Sequence, residues 1–342
     1  MKAVVFHRHG SPEVLQYEDV PDPIPAAGEV VIEVRAASLN HIDVFLRRGM
    51  PGITVKMPKI AGSDAAGVVN EVGSDVTGLK KGDRVTIDPG ISCGRCEFCA
   101  GGFGSACAHY QMVGEHTDGS YAQLLKVPAH IVLPIPDTLG FEEAAAAPLV
   151  YLTAWSMLIS KGRIQPGEDV LILGVGGGVG TAALQIAKMV GCRVLATASS
   201  DEKLARAKEL GADILINYSK QEFDKEVRNL TDRRGVDVVV DYIGADTWVK
   251  SLRSARKGGR ILTCGATTGF APQTDLRHIF YRQLQVFGST MGSHREFLDV
   301  MKCIFRGQLK PVIDQVLPLS EARRGHELIE GRQVFGKLVL KP

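Results

Sequence analysis

An apolar strand that runs directly into a glycine-rich loop and then a helix constrains this chain more than any other feature. The segment DVLILG, which begins at Asp169, leads into GVGGGVG at residues 174–180 and then into TAALQIAKMVG. Beyond it, apolar segments such as RVLATA and VDVVVD alternate with helical segments such as DEKLARAKELG. This alternation predicts a parallel sheet with helices on both faces. The fold class is therefore α/β, with a doubly wound Rossmann sheet in this part of the chain.

The glycine loop predicts a bound dinucleotide. Glycines between a strand and a helix allow a tight turn and the close approach of a pyrophosphate, whose charge the helix N-terminus attracts. The spacing departs from the usual G-x-G-x-x-G, because Gly174, Gly177 and Gly180 give G-x-x-G-x-x-G. A glycine turn without a ligand is the alternative. The predicted cofactor-binding residues of the loop are Gly174, Gly176, Gly177, Gly178, Val179 and Gly180.

The residues after the next strand favour NADPH over NADH. A domain that prefers NAD usually has an acidic residue at this strand end to bind the ribose hydroxyls, and here the position is Ala198. Asp201 is the competing ribose ligand, but Ser199 and Glu202 resemble a capping box, which would place Asp201 in the first turn of a helix. The alternative for the cation Lys203 is a solvated helix residue. The side chains predicted to surround a 2′-phosphate are Ser199, Ser200, Lys203 and Tyr218.

The remainder of the chain has a different texture. Residues 1–150 contain short β-like runs, such as VVIEVRAAS and GVVNEVG, separated by Gly and Pro turns. After QVFGSTM comes one helical stretch, EFLDVMKCIF, and then the strand-like GKLVLKP, which we expect to rejoin the first domain. We therefore predict a mostly β domain from residues 1–150 and 290–342, and a dinucleotide-binding domain from residues 151–289.

Four of the seven cysteines predict a metal site. Cys93, Cys96, Cys99 and Cys107 are spaced C-x2-C-x2-C-x7-C. Four thiolates satisfy tetrahedral zinc and leave no open position for a substrate, so the ion would be structural. A nucleic-acid-binding zinc module is the alternative, but the segment lacks suitable aromatic and basic residues. The sequence thus predicts one structural zinc ion per chain.

The charge balance limits the expected partners. The 40 Lys and Arg residues nearly equal the 38 Asp and Glu residues, which leaves a formal charge of +2. Because no long basic run is present, nucleic acid is not an expected partner. The sequence lacks a signal-peptide pattern and a stretch of about 20 uncharged apolar residues, so we expect a cytoplasmic protein without a membrane partner.

Four motifs are distributed along the chain, namely GSDAAGVVNEVGSDV, KKGDRV, ISCGRCEFCAGGFGSAC and GGGVGTAALQIAK. Together they resemble the medium-chain dehydrogenases/reductases, which include zinc alcohol dehydrogenases and quinone oxidoreductases. The resemblance implies a GroES-like catalytic domain built from both chain ends, an inserted Rossmann domain, and an active site between them. It also implies homodimers or homotetramers, in which QVFGSTM would pair across a subunit interface or form an edge of the Rossmann sheet.

The catalytic-zinc ligands of the alcohol dehydrogenases do not carry over to this sequence. Asn40 occupies the position of the first cysteine, Ser63 that of the histidine, and Leu149 that of the second cysteine. Ile42 replaces the hydroxyl that normally relays the substrate proton. A different second metal site is the alternative, and its candidate ligands are His41, Asp43, Asp64 and His116.

The segment SLNHIDVFLRRG resembles the quinone oxidoreductases, in which an asparagine at the position of Asn40 borders the substrate pocket. Phe45 replaces a tyrosine often found there. We expect Asn40 to orient a carbonyl oxygen, and Thr153 with the Gly265–Ala266 turn to hold the nicotinamide. The alternative for Thr153 is a helix hydroxyl bonded to its own backbone. The proton donor stays open between Tyr151, His116 and a water molecule.

These observations favour NADPH-dependent reduction of an activated C=C bond or a quinone without a catalytic zinc. The substrate would be a small enone, enoyl thioester or quinone. Two alternatives remain open. One is an alcohol dehydrogenase or aldehyde reductase of the zinc type, and the other is a non-catalytic NADPH-binding protein.

Overall fold

The chain divides into two units at Leu149/Val150 and at Gly292/Ser293. The computed structural model describes residues 1–50 and 52–342. Unit 1 consists of Met1–Leu149 and Ser293–Pro342, and unit 2 consists of Val150–Gly292. The predicted boundaries, after residues 150 and 289, lie within three residues of these divisions.

Strands and helices alternate regularly only in the middle of the chain. The strands are β1 (Lys2–Phe6), β2 (Gln16–Asp19), β3 (Glu29–Ser38), β4 (Lys59–Ile60), β5 (Asp64–Val72), β6 (Arg84–Ile87), β7 (Gly90–Ile91), β8 (Gln111–Met112), β9 (Leu124–Pro128), β10 (Val132–Pro134), β11 (Asp169–Ile172), β12 (Arg193–Ala198), β13 (Ile214–Asn217), β14 (Val236–Val240), β15 (Ala255–Thr263), β16 (Gln285–Gly288), β17 (Ile313–Pro318) and β18 (Lys337–Lys341). The α-helices are α1 (His41–Arg48), α2 (Glu97–Ala100), α3 (Phe141–Ala146), α4 (Pro148–Trp155), α5 (Gly178–Val190), α6 (Asp201–Glu209), α7 (Phe223–Leu230), α8 (Trp248–Ser254), α9 (Arg277–Phe280), α10 (His294–Phe305) and α11 (Ala322–Glu330). Short 3-10 helices lie at Pro12–Val14, Gly104–Ala106, Ala129–Ile131 and Leu319–Glu321, and a π-helix at Ser156–Lys161 follows α4.

Unit 2 contains the predicted parallel sheet. Its six strands are ordered β13-β12-β11-β14-β15-β16, and every pair is parallel. The strand β14 is buried along its whole length, as expected for a strand with both faces covered. Because all strands run the same way, the loops after β11, β12, β13 and β15 leave from one edge of the sheet, where open α/β sheets bind their ligands.

Unit 1 is mostly β and is closed by the C-terminal tail. Its largest sheet runs β10-β6-β5-β3-β18-β17, and β9 also pairs with β3. The last strand, β18, pairs antiparallel with β3, so the tail rejoins the first domain as the sequence predicts. Ser38 lies opposite Asp64 on β5 and opposite Val339 on β18. The adjacent strands β5, β3 and β18 therefore bring Asp64, Ser38 and Lys337 to one end of the sheet.

Within the described ranges, no helix is both long and apolar enough to cross a membrane.

Candidate functional site

The glycine loop lies between β11 and α5, which begins at Gly178. A Cβ atom at Gly180 would lie 2.4 Å from the Tyr242 hydroxyl and 2.7 Å from the Val175 carbonyl oxygen, so close packing of the helix requires glycine there. A Cβ atom at Gly177 would meet nothing closer than 3.6 Å. Packing alone therefore does not require glycine at this position, whereas the approach of a pyrophosphate to the backbone would. The loop thus fits the dinucleotide that the sequence predicts.

Tyr242 supports the loop from the end of β14. Its hydroxyl donates a hydrogen bond to the Gly174 carbonyl oxygen over 2.7 Å. Burial raises the pKa of this phenol well above its ordinary value, so the hydroxyl keeps its proton. The sequence analysis did not identify Tyr242. The signal available was its position directly after the buried strand VDVVVD, in VDVVVDY.

The residues predicted to surround a 2′-phosphate follow β12 and β13, which are neighbours in the sheet. The Ser219 hydroxyl donates to the Ser199 carbonyl oxygen over 3.0 Å and thereby joins the two segments. One detail of the prediction is wrong: the N-cap of α6 is Ser200, whose hydroxyl accepts the Lys203 backbone N–H over 3.3 Å. The chain is still extended at Ser200, so the helix begins one residue later than a cap at Ser199 would require.

Asp201 lies in the first turn of α6, as predicted, and its carboxylate has two partners. Asn217 donates to one oxygen over 2.6 Å, and the Lys220 ammonium contacts the other over 2.5 Å. The hydrogen bond from Lys220, followed by that from Asn217, lowers the pKa of Asp201. This carboxylate is therefore bound within the protein. Lys220, which the sequence analysis missed, is a second lysine, besides Lys203, in the segments that follow β12 and β13.

The predicted nicotinamide residues also lie in unit 2. The Gly265–Ala266 turn follows β15 at the same edge of the sheet as the glycine loop. The Thr153 hydroxyl is buried and donates to the Met291 sulfur over 3.8 Å. The buried Tyr151 hydroxyl accepts a hydrogen bond from Gln185 on α5 over 2.9 Å, and burial raises its pKa. This placement does not favour Tyr151 as a proton donor, and its role stays a prediction.

The four clustered cysteines form the predicted metal-binding group. Their sulfur atoms all lie within 4.8 Å of one another. The Cys93 and Cys99 sulfurs are 4.0 Å apart, and those of Cys96 and Cys99 are 3.5 Å apart. Sulfurs at about 2.3 Å from a tetrahedral zinc would be about 3.8 Å apart, so the cluster fits this ion. Backbone N–H groups of Cys99 and Ala108 lower the pKa of Cys96 to about 6, whereas desolvation and the neighbouring thiols raise the pKa of Cys99 to about 11.

A buried polar cluster in unit 1 contains Asn40. The Asn40 side-chain amide donates to Asp64 Oδ2 over 2.8 Å, and the Ser38 hydroxyl donates to the same oxygen over 2.9 Å. The other carboxylate oxygen, Oδ1, accepts the Leu149 backbone N–H over 2.8 Å. The Lys337 ammonium contacts Asp64 Oδ2 over 3.3 Å, and these two side chains are 3% and 0% exposed. The cluster is thus built around a buried ion pair.

Asp43 and Tyr121 extend the cluster on its helix side. The Asn40 backbone N–H donates to Asp43 Oδ2 over 2.8 Å at the start of α1, and the Tyr121 hydroxyl donates to the same oxygen over 2.9 Å. Burial raises the pKa of Asp43 to about 6. Burial also lowers the pKa of Lys337, although the charges of Asp64 and Asp43 work in the opposite direction. Lys337 and Tyr121 were not identified from the sequence, because they are distant from Asn40 along the chain, and Ser38, two residues before Asn40, was not identified either.

The three positions that the family resemblance matches to catalytic-zinc ligands of alcohol dehydrogenases come together at this cluster. Asn40 and Leu149 both contact Asp64, and Ser63 directly precedes it. Within the part of the chain that the structure describes, the Ser63 hydroxyl is buried without a hydrogen-bond partner. The four clustered cysteines are the only group of three or more His, Cys, Asp or Glu ligands gathered closely enough for a metal in residues 1–50 and 52–342. The alternative set of His41, Asp43, Asp64 and His116 is therefore not assembled.

Comparison with known proteins identifies the family. Residues 26–137 match the alcohol dehydrogenase GroES-like domain, and residues 178–306 match the zinc-binding dehydrogenase domain. A crystal structure of an NAD-dependent alcohol dehydrogenase is 47% identical, with a TM-score of 0.96 over 100% of both chains. The chain belongs to the medium-chain dehydrogenase/reductase superfamily. As a member of this superfamily it is an oxidoreductase, with a GroES-like domain and a Rossmann-type parallel sheet.

Members with different activities are similarly related to this medium-chain dehydrogenase/reductase. An acryloyl-coenzyme A reductase of Sulfurisphaera tokodaii is 31% identical over 100% of both chains. A quinone oxidoreductase of Mus musculus is 31% identical over 99% of this chain and 97% of its own. Several relatives at 30–32% identity are named alcohol dehydrogenases. At 30–32% identity the relatives thus have several substrate classes, whereas the structure at 47% identity is named an alcohol dehydrogenase.

Proposed function

We propose that this protein uses NADPH to reduce an activated C=C bond or a quinone, in a site that works without a catalytic zinc. The observation that carries the proposal is the buried Asp64–Lys337 ion pair. Its carboxylate contacts Asn40 and Leu149, two of the positions where related alcohol dehydrogenases have zinc ligands. The Lys337 ammonium balances the charge of Asp64.

The loss of these ligands bears on which reaction the site can support. Zinc can lower the pKa of bound water from about 15.7 to about 7, which at about 1.36 kcal/mol per unit is roughly 12 kcal/mol toward an oxyanion. A single hydrogen-bond donor contributes about 3 to 4 kcal/mol. Formation of a localised alkoxide needs the larger stabilisation, which zinc provides. A delocalised enolate or hydroquinone anion needs less stabilisation, so a site with an amide donor favours conjugated acceptors.

The proposed reaction assigns a role to each part of the site. Thr153 and the Gly265–Ala266 turn would hold the nicotinamide of NADPH, which would supply a hydride when bound. With an enone, the hydride adds at the β-carbon, and the electron pair of the C=C bond moves toward the carbonyl oxygen. Asn40 donates a hydrogen bond to this oxygen as its negative charge develops. The α-carbon then takes a proton, for which Tyr151, His116 and a water molecule are the candidates.

The first experiment compares an α,β-unsaturated ketone with the matching saturated ketone and analyses the metal content of the same sample. We expect NADPH oxidation with the unsaturated ketone and a quinone only, a product reduced at the C=C bond, and one zinc ion per chain. Replacement of Asn40 by alanine should lower kcat about 100-fold, the effect of removing one oxyanion donor. Reduction of the saturated ketone together with a second zinc ion would overturn the proposal.

An alcohol dehydrogenase is the second candidate, because the protein of known structure that is 47% identical carries that name. The same experiment separates the two, since oxidation of an alcohol would have to proceed without the usual zinc ligands. A protein that binds NADPH tightly and turns over neither class of substrate would support the non-catalytic alternative.

The preference for NADPH needs its own test, because the 47% identical protein of known structure is named an NAD-dependent alcohol dehydrogenase. The proposal is supported by the lack of an acid at Ala198 and by the internal contacts of Asp201. We expect NADPH to bind at least about tenfold more tightly than NADH, and Lys203→Met to remove most of this difference. Equal affinity for the two cofactors would overturn the preference.

A further inference from the structure

Lys337 is a buried cation whose three donors all have acceptors. Its ammonium donates to the Leu39 carbonyl oxygen over 2.7 Å, to the Asn40 amide oxygen, and to Asp64 Oδ2 over 3.3 Å. The side chain is 3% exposed. A buried ammonium is costly unless it is paired and hydrogen-bonded. The surrounding groups therefore hold it in one position.

The chemistry of these neighbours gives the Asn40 amide a single orientation. An ammonium can only donate hydrogen bonds, and an ionised carboxylate can only accept them. The amide oxygen must therefore face Lys337, and the amide nitrogen must face Asp64. A flipped amide would place its NH2 group against the ammonium and its oxygen against the carboxylate, and both contacts would be repulsive.

One N–H of this amide is held only weakly. The nitrogen donates to Asp64 over 2.8 Å, whereas its other contact, to the Ser38 carbonyl oxygen, is 3.5 Å long. The usual N–H···O distance is 2.7 to about 3.2 Å. A substrate oxygen that approaches Asn40 would therefore meet an N–H whose present bond is easily replaced.

We propose that Lys337 is a positioning residue that fixes Asn40 with this N–H available to the substrate's carbonyl oxygen. The proposal rests on the proposed function, in which Asn40 contacts that oxygen. The ammonium supplies a fixed positive charge beside the amide and neutralises Asp64. A purely structural role of Lys337 would require only that it neutralises Asp64.

Paired variants separate these two effects. Lys337→Met alone leaves Asp64 buried without its cation and should destabilise the fold. The double variant Asp64→Asn with Lys337→Met contains neither charge, so we expect its Tm to return close to that of the wild type. An amide at position 64 can donate or accept, and methionine does neither, so nothing then fixes the orientation of Asn40. We expect kcat for the unsaturated ketone to stay at least about tenfold lower, with KM for NADPH within about twofold.

Asn40→Ala, added to the wild type and to the double variant, tests whether Lys337 acts through Asn40. It should lower kcat about 100-fold in the wild type and by no more than about tenfold in the double variant. Lys341→Met is the matched control, because Lys341 lies on the same strand with its side chain 53% exposed and paired with Glu142. This control should leave kcat unchanged.

The outcomes distinguish the two proposals. A double variant that regains both Tm and kcat shows that Lys337 only neutralises Asp64, and this overturns its positioning role. Equal effects of Asn40→Ala in both backgrounds overturn it as well. If the wild type reduces neither the unsaturated ketone nor a quinone, the proposed function fails, and the positioning proposal fails with it.

Discussion

At the scale of single residues, the cofactor loop depends on the absence of one methyl group. Gly180 lets α5 pack against the Val175 backbone and the Tyr242 hydroxyl, and the same hydroxyl donates to the Gly174 carbonyl oxygen. The spacing of the glycines alone predicts that Gly180 belongs to the cofactor-binding loop. The partner that makes glycine necessary there follows a different strand, β14, 68 residues from Gly174.

Gly180→Ala should therefore impair cofactor binding. The added Cβ atom would lie 2.4 Å from the Tyr242 hydroxyl and 2.7 Å from the Val175 carbonyl oxygen, so the loop or the helix must shift. We expect at least about a tenfold increase in the Kd for NADPH and a lower Tm, because overpacking costs about 1–3 kcal/mol. Titration followed by fluorescence measures the affinity. Gly28→Ala is the control, since a Cβ atom there meets nothing within 4 Å.

At the scale of elements, Asp237 ties the start of β14 to its two neighbouring strands. It accepts the Asp169 backbone N–H over 2.9 Å on β11 and contacts Arg256 on β15, and Arg234 donates to it over 2.7 Å. Burial opposes ionisation, but the hydrogen bonds from Arg234 and Arg256 outweigh it and lower the pKa from 3.8 to about 2. A carboxyl group whose pKa falls on folding stabilises the fold above its unfolded pKa.

The stability of unit 2 should consequently depend on Asp237 in a pH-dependent way. Asp237→Asn should lower the free energy of unfolding by about 2 kcal/mol at neutral pH. This difference should shrink as the pH falls from about 4 to 2, because the wild-type carboxylate then becomes protonated. Urea unfolding at both ends of this range measures the difference. An equal difference at both pH values would contradict the assignment, and Asp246→Asn, at an exposed carboxylate, is the control.

The cysteine lobe between β7 and β8 has little regular structure of its own. It contains only a four-residue helix, α2, and one 3-10 turn, so the metal should supply much of its folding energy. Cys99→Ser, or removal of zinc with a chelator, should abolish the single zinc ion and unfold the lobe, so that trypsin cleaves faster after the exposed Arg95. Metal analysis and peptide mapping measure the two effects. Cys303→Ser, outside the lobe, should retain the zinc, and full zinc content in Cys99→Ser would contradict the assigned ligands.

At the scale of the whole molecule, unit 2 carries apolar side chains that a single chain leaves exposed. They are Phe270, Leu276, Phe280 and Tyr281, which are 60–72% exposed, and Val286 on the edge strand β16, which is 42% exposed. An exposed edge strand with apolar side chains is a site for pairing with another chain. The expected homodimer or homotetramer would cover these groups.

Light scattering should accordingly give a mass of two or four chains. Val286→Lys should lower this mass, because a buried lysine at the edge of the sheet opposes pairing. Met189→Lys is the control, since Met189 is 38% exposed on the helix α5 and not on an edge strand. A wild-type mass of one chain would contradict the expectation.

The sequence alone determines those features of this protein that depend on neighbouring residues. The alternation after Asp169 predicts the Rossmann sheet, and the spacing of Cys93, Cys96, Cys99 and Cys107 predicts a metal group whose ligands span 15 residues. The information for both is local, since a helix, a strand or a chelating loop is specified by residues close together in the chain. That Asn40, Ser63 and Leu149 replace the usual catalytic-zinc ligands is implied by the family resemblance and stays a prediction.

The tertiary structure decides what occupies the place of those lost ligands. Lys337 meets Asn40 and Asp64 across 297 and 273 residues, because the C-terminal strand β18 pairs with β3 beside β5. Lys220 reaches Asp201 for a similar reason, through the pairing of β12 with β13. No local pattern marks a lysine as buried, since its environment is set by strand order. The pairing of Lys337 with Asp64 therefore depends on the order of the strands in the sheet, which no short segment of the sequence specifies.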